Sequence, residues 1–328
     1  MTPVARWLLS AGILLFVALV LWQGLPAVLG LLSVAGAGLL LVALFHLLPL
    51  VIDAAAIRVL LDHGERGGSF LDSVMTRWVG ESANGLMPAG QLGGPVLMVR
   101  QLAQRGVAMP TAAAAITVTT TFQMLAQVMF ALMGVALLGA HAHSVVLGIS
   151  IGVMALILVS FYLTQRRGLF RSAIRPAARW LGSARLASLM GHAEAFDQAV
   201  QQAYGHKTRC VLSFAFNLTG WLVGTGEVFL IMQLIRTPVT WENAFLLESL
   251  GQAIRGAAFA IPGSLGVQEG GYLLLAPLAA VRPEAALALS LAKRAREFLL
   301  GIPGLLYLHI FERRTSLADA RTARRTIL

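Results

Sequence analysis

The chain is poor in charge and in cysteine. Charged residues are 12% of its 328 positions, about half the roughly 25% usual in soluble domains. A single cysteine, Cys210, excludes a disulfide framework or a cysteine-based metal site within one chain. Enzyme signatures are missing. There is no Gly-x-Ser-x-Gly elbow, phosphate-binding loop, His-Glu-x-x-His or dinucleotide fingerprint, so no catalytic residue and no cofactor is expected. His141 and His143 are a small pair and do not make a metal site. Acids are scarce as well, with 15 Asp and Glu against 25 Lys and Arg, for a formal net charge of +10.

What is present is apolar. Hydrophobic residues make up 57% of the chain, with a mean hydropathy of +0.77. Runs at 7–24, 26–52, 107–139, 144–164, 209–235 and 285–311 are long enough to cross a bilayer. Met1 to Gln23 imitates a secretory signal. A second apolar run follows at once, however, and no small-residue cleavage site stands out, so a retained first span is expected. The Lys and Arg gather in loops and in the tail. Six arginines lie between Arg166 and Arg185 without an acid, and Arg313, Arg314, Arg321, Arg324 and Arg325 follow Glu312. The basicity is therefore read as positive-inside topology, with both termini cytoplasmic in a bacterial-type inner membrane and no nucleic-acid partner. Leu186 to Tyr204 repeats apolar residues at helical spacing opposite Glu194, Asp197 and Gln201. It reads either as an amphipathic surface helix or as a solvated connector.

Between the apolar runs, one unusual pattern is spelled twice, about 173 residues apart. The first copy has Glu81-Ser82, Pro88, Gly90, Gly93-Gly94 and then Pro110. The second has Glu248-Ser249, Pro262-Gly263, Gly266, Gly270-Gly271 and then Pro283. From the first Pro to the second is 22 residues in one copy and 21 in the other. Pro and clustered Gly break helices. Inside lipid, a break survives only where its freed backbone groups face protein or a watery cavity. A broken hydrophobic segment repeated in both halves points to a transport site.

Threading the basic loops through these segments makes 81–102 enter from the cytoplasm and 243–281 from outside. The expected architecture is therefore about six full spans plus two re-entrant broken helices in an inverted repeat. Residues 1–143 form one half, and 144–314 form the other with a basic cytoplasmic loop at 165–208. Residues 315–328 are a basic tail.

Ionisable residues at membrane depth mark pathways or paired sites. Lys293, Arg294, Arg296 and Glu297 lie mid-span on one arc of about 160°. This set has two surplus positive charges, which either bind an anion or are balanced by acids such as Glu248, Glu269 or Glu81. Arg255 and Glu269 flank Pro262 by seven residues on either side, and copy one offers Asn84, Gln91 and Arg100. Asp53 and Glu227 each read either as a proton site or as a hydrogen-bonding partner of a neighbouring helix. His46 and His309 read as packed or interfacial residues. Asn217-Leu218-Thr219 falls inside a span, so its match to a glycosylation triplet is read as chance, and the Gly220/Gly224 spacing reads as close helix packing.

The segment Phe259 to Gly270, with Asn84-Gly85-Leu86-Met87-Pro88, Gly93-Gly94 and Arg294-Ala295-Arg296-Glu297 ahead of Gly301, resembles the transmembrane flippase domain of lysyl-phosphatidylglycerol synthases. It is also similar to the hopanoid-biosynthesis-associated branch of the free-standing members. The resemblance implies a lipid translocase for charged phospholipids and carries no aminoacyl transfer. The expected function is movement of a charged phospholipid or hopanoid-type lipid with an anionic or zwitterionic headgroup. Alternatives are an integral-membrane lipid-modifying enzyme or a small-solute transporter.

Overall fold

Two polar N-caps start the fold in the same way in both halves. Ser69 Oγ accepts from the Asp72 amide at 3.1 Å, and Thr240 Oγ1 accepts from the Asn243 amide at 3.2 Å. Each satisfies an orphan donor at a helix start, and each opens a 17-residue helix. The computed structural model describes residues 30, 32–61, 68–87, 93–139, 183–258 and 261–326. The expected spans at 7–24 and 144–164, the arginine-rich part of the loop, the His141/His143 pair, and Pro88, Gly90 and Gln91 lie outside the described residues.

Among the described residues the structure is helical, without strands. Its elements are α1 (Gly38–Arg58), α2 (Phe70–Leu86), α3 (Gly93–Gln104), α4 (Met109–Gly139), α5 (Ser183–Gly205), α6 (Lys207–Leu234) and α7 (Trp241–Ala257). After these come a 3-10 turn at Pro262–Ser264, α8 (Val267–Leu275) and α9 (Pro283–Thr326). Of these, α1, α4 and α6 are long and apolar enough to cross a membrane. The protein is an all-α membrane protein.

Exchanging the halves leaves the packing pattern unchanged. Helix α1 packs on α6. The pairs α1–α2, α2–α3, α3–α4, α2–α9 and α1–α9 have their counterparts in α6–α7, α7–α8, α8–α9, α7–α4 and α6–α4. A serine–glycine contact is duplicated with them. A Cβ on Gly304 of α9 would stand 3.0 Å from the Ser82 Cβ, and one on Gly134 of α4 would stand 2.9 Å from the Ser249 Cβ. The repeated Glu-Ser pair of the sequence therefore marks one position seen twice.

Helices α2 and α3 run antiparallel as a hairpin. Asn84 bonds Gly94 near the break, Gly80 faces Met98 a turn further on, and Asp72 pairs with Arg105 at the mouth. Helices α7 and α8 form a second hairpin, where Arg255 meets Gln268 and Gly251 meets Tyr272. The first hairpin opens where α4 begins. The second opens near the far end of α4, where Phe245 packs on Phe130 at 4.9 Å between ring centroids. A helix of 31 residues is roughly 46 Å long at 1.5 Å per residue, so the hairpins enter from opposite ends. Their breaks meet: Gly263 packs on the Gly85 carbonyl.

Burial is inverted relative to a soluble protein. Leu44 on α1 is 62% exposed, whereas Lys293 is 1% exposed and Glu269 fully buried. Apolar side chains cover the outside and charges fill the centre, as a lipid solvent requires. Helix α5 packs on α4, with Val200 and Tyr204 buried and Tyr204 edge-on to Phe122. A packed helix thus replaces the solvated-connector alternative for 186–204.

Candidate functional site

The breaks are built by local chemistry. Gly263 and Gly266 have φ of 61° and 76°, a region that costs an L-residue with a Cβ roughly 1–2 kcal/mol. Glu269 reaches back so that its Oε2 accepts from the Gly266 amide at 2.8 Å, capping α8. In the first hairpin Asn84 Oδ1 accepts from the Gly94 amide at 2.8 Å. A Cβ on Gly94 would fall 2.7 Å from the Asn84 Cγ, so only glycine lets α2 and α3 close together. Gly93 and Gly94 are the first residues of α3. Gly270 lies inside α8, its amide bonded to the Gly266 carbonyl at 2.9 Å. Its expected place in a turn is corrected, because the helix restarts directly after Gly266.

Above the breaks, α9 presents its ionisable arc to the centre. Lys293 Nζ lies 2.5 Å from Glu248 Oε2 on α7 and 4.0 Å from Glu227 Oε1 on α6. The other face of Glu248 accepts from Gln252 Nε2 at 2.8 Å. Arg294 binds Glu269 through Nε at 3.0 Å and donates to the Gly263 and Ser264 carbonyls at 2.5 and 3.2 Å, tying α9 to the second break. Arg296 donates through Nε to Glu227 Oε1 at 3.2 Å and through Nη1 to Glu81 Oε1 at 3.3 Å. Glu297 holds Arg255, which also reaches Gln268 Oε1 at 3.2 Å.

These partners decide between the two readings of the surplus positive charge on α9: it is balanced by Glu248, Glu269 and Glu81, the acids that the sequence offered, and by Glu227. Each cation of the arc has an acid from another helix, as burial demands: leaving a buried charge unpaired costs several kcal/mol. Arg100 does not enter the site either. It pairs with Glu312 at 3.1 Å, with 57% of its side chain exposed.

The sequence reading missed His46, which stands at the centre. Its Nδ1 lies 2.5 Å from Glu227 Oε2 and its Nε2 lies 2.6 Å from Glu81 Oε1. The sequence holds no signal for this, because the partners are 181 and 35 positions away. Asp53 is no lone acid. Arg77 Nη2 donates to it at 2.6 Å and Nη1 donates to Gln123 Oε1 at 3.1 Å. Glu227 joins His46 and Arg296, so it is a bridge between helices. Gly220 and Gly224 do more than let helices pack. A Cβ on Gly220 would stand 3.3 Å from the Asp53 Cγ, and one on Gly224 would stand 3.5 Å from Glu248 Oε1. Both leave room for acids. Asn217 is buried on α6 and donates to Ser213 O at 2.8 Å.

A cavity of about 280 Å³ lies where the hairpins meet. Both halves wall it: α1, α2, α3 and α4 on one side, α6, α7, the second break and α9 on the other. Arg255, Arg296, Glu297 and Asn84 line it, whereas Lys293, Arg294 and Glu269 stand behind the wall and hold it. Among the described residues, five carboxylates (Asp53, Glu81, Glu227, Glu248 and Glu297) share the lining with three arginines, Arg77, Arg255 and Arg296. Glu81 is the most open of the ion-paired acids at the cavity, with 30% of its side chain exposed.

The site is a polar, charge-lined chamber between two hairpins inside an apolar shell. No curated protein and no solved structure is significantly similar to the chain. The family profile described as lysylphosphatidylglycerol synthase TM region matches residues 8–304, and the chain belongs to that family.

Proposed function

We propose that the protein moves a charged phospholipid between the leaflets of a bacterial-type inner membrane. The single observation that carries this reading is the charged cavity at the meeting point of two hairpins that enter from opposite ends. A headgroup there sits at the depth where neither face is favoured, while its acyl chains stay among the exposed leucines. On this reading the hairpins are re-entrant, both termini are cytoplasmic, and the partner is membrane lipid.

The balance of the wall favours a zwitterionic headgroup over a purely anionic one. Its arginines are already committed to carboxylates, and acids outnumber them in the lining. A phosphate can share Arg77 and Arg255 while an ammonium meets Glu81, the carboxylate most open to the cavity.

The test is native mass spectrometry of lipid retained by the purified protein. Zwitterionic phospholipid enriched over the bulk membrane is expected, with retention lost in Glu81→Gln and in Arg255→Gln. Retained lipid of bulk composition, unchanged in both variants, would contradict the reading.

A further inference from the structure

Among the described residues, the charges of the centre balance only if one more proton is held there, and His46 is the basic group placed to hold it. Six carboxylates (Asp53, Glu81, Glu227, Glu248, Glu269 and Glu297) meet five permanent cations, Arg77, Arg255, Lys293, Arg294 and Arg296. The sixth positive charge is the imidazolium. Geometry gives the same answer. Both ring nitrogens lie within 2.6 Å of carboxylate oxygens, and a nitrogen and an oxygen that close share a proton. Neutral imidazole has one N–H and cannot donate to two ionised carboxylates.

A second arrangement is built into the same site. Arg296 Nη1 lies 3.2 Å from His46 Nε2. While Nε2 carries a proton, that guanidinium serves Glu81 and Glu227. Once the proton leaves, the Nε2 lone pair can accept from Arg296. His46 is thus satisfied in both states, and the group released from it is Glu81.

We propose that His46, held between Glu81 and Glu227, is an exchangeable proton-binding site, and that its proton and a cationic group in the cavity compete for Glu81. Release breaks the Nε2–H bond. The proton passes to Glu81 Oε1 and then to cavity water, and the electron pair stays on the imidazole. Glu81 then faces the cavity without its bond to His46, holding only the longer contact to Arg296, and can take an ammonium. The groups around His46 are Glu227 on α6 with Lys293 of α9 behind it, Glu81 on α2, Arg296 on α9, and Asp53 of α1 itself, held by Arg77. Helix α4 brings no titratable side chain to the packing. The proton site stands on its own geometry, and its coupling to lipid movement rests on the translocase reading.

Two measurements separate these. In the first, protein carrying ¹⁵N-histidine is titrated in lipid nanodiscs, with the His46 signals assigned by their loss in His46→Gln. Two protonated ring nitrogens at neutral pH, one of them lost on alkaline titration, are expected, and Glu227→Gln should shift that loss toward lower pH. A neutral His46 ring at neutral pH overturns the proton site. In the second, proteoliposomes carry a fluorescent zwitterionic lipid under proton gradients of opposite direction. Wild-type rates should differ severalfold between directions, and His46→Gln should give equal rates in both, whatever their size. Wild-type movement that ignores the gradient overturns the coupling. Absence of any wild-type movement overturns the translocase reading, and the titration alone then upholds or overturns the proton site.

Discussion

Gly263, at the break of the second hairpin, packs on the Gly85 carbonyl at the end of the first hairpin's inward arm, so that a Cβ there would stand 3.3 Å from that oxygen. One contact joins the two halves at the cavity and also carries a φ of 61°. Gly263→Ala should therefore cost about 1–2 kcal/mol from backbone strain alone, read as a lower melting temperature in detergent. An unchanged melting temperature would show that the breaks are not held against each other as described.

The duplicated serine–glycine contact gives a paired prediction. Gly304→Ala overpacks Ser82 and Gly134→Ala overpacks Ser249, each by about 1–3 kcal/mol. Ser82→Gly should rescue only the first and Ser249→Gly only the second. Crossed rescue, or none, would refute the equivalence of the two halves.

Lys293 and Glu248 form a pair buried on both sides, with 2% and 4% of the side chains exposed. Lys293→Met alone should destabilise by roughly 3–5 kcal/mol, because Glu248 is left as an uncompensated buried charge. Adding Glu248→Met should restore most of that loss in thermal denaturation.

Arg294 is more than a charge. It spans Glu269 and two carbonyls of the break, which a lysine with a compact ammonium cannot match. Arg294→Lys should cost about 3 kcal/mol, on the scale of hydrogen bonds to charged groups. The Gly266 amide that caps on Glu269 should exchange faster with deuterium.

Much of this arrangement could be read from residue order. The repeated Pro-Gly segments locate both breaks, and the expected spans at 107–139 and 209–235 agree closely with α4 and α6. Local chemistry specifies these features: Pro removes a donor, Gly permits positive φ, and apolar length follows bilayer thickness. Glu248, Glu269 and Glu81 could be named as candidate counter-charges, but which acid meets which cation was not legible. Arg296 reaches Glu81 across 215 positions and Glu227 across 69, and no local pattern chooses among the acids. For the same reason α9, read by itself, shows two spare cations that the fold takes up with acids from α6, α7, α8 and α2. His46 looked like one polar residue in an apolar helix, and only the approach of α2 and α6 to α1 turns it into a bridge.

Passage of a phospholipid headgroup through the cavity is read out as lipid movement in proteoliposomes. Purified protein is reconstituted with a trace of headgroup-labelled zwitterionic lipid, and the inner-leaflet fraction is followed by quenching from outside. Movement well above protein-free vesicles is expected, with a large loss in both Glu81→Gln and Arg255→Gln while folding stays intact. Movement no faster than in protein-free vesicles, or equal rates in the wild type and both variants, would contradict it.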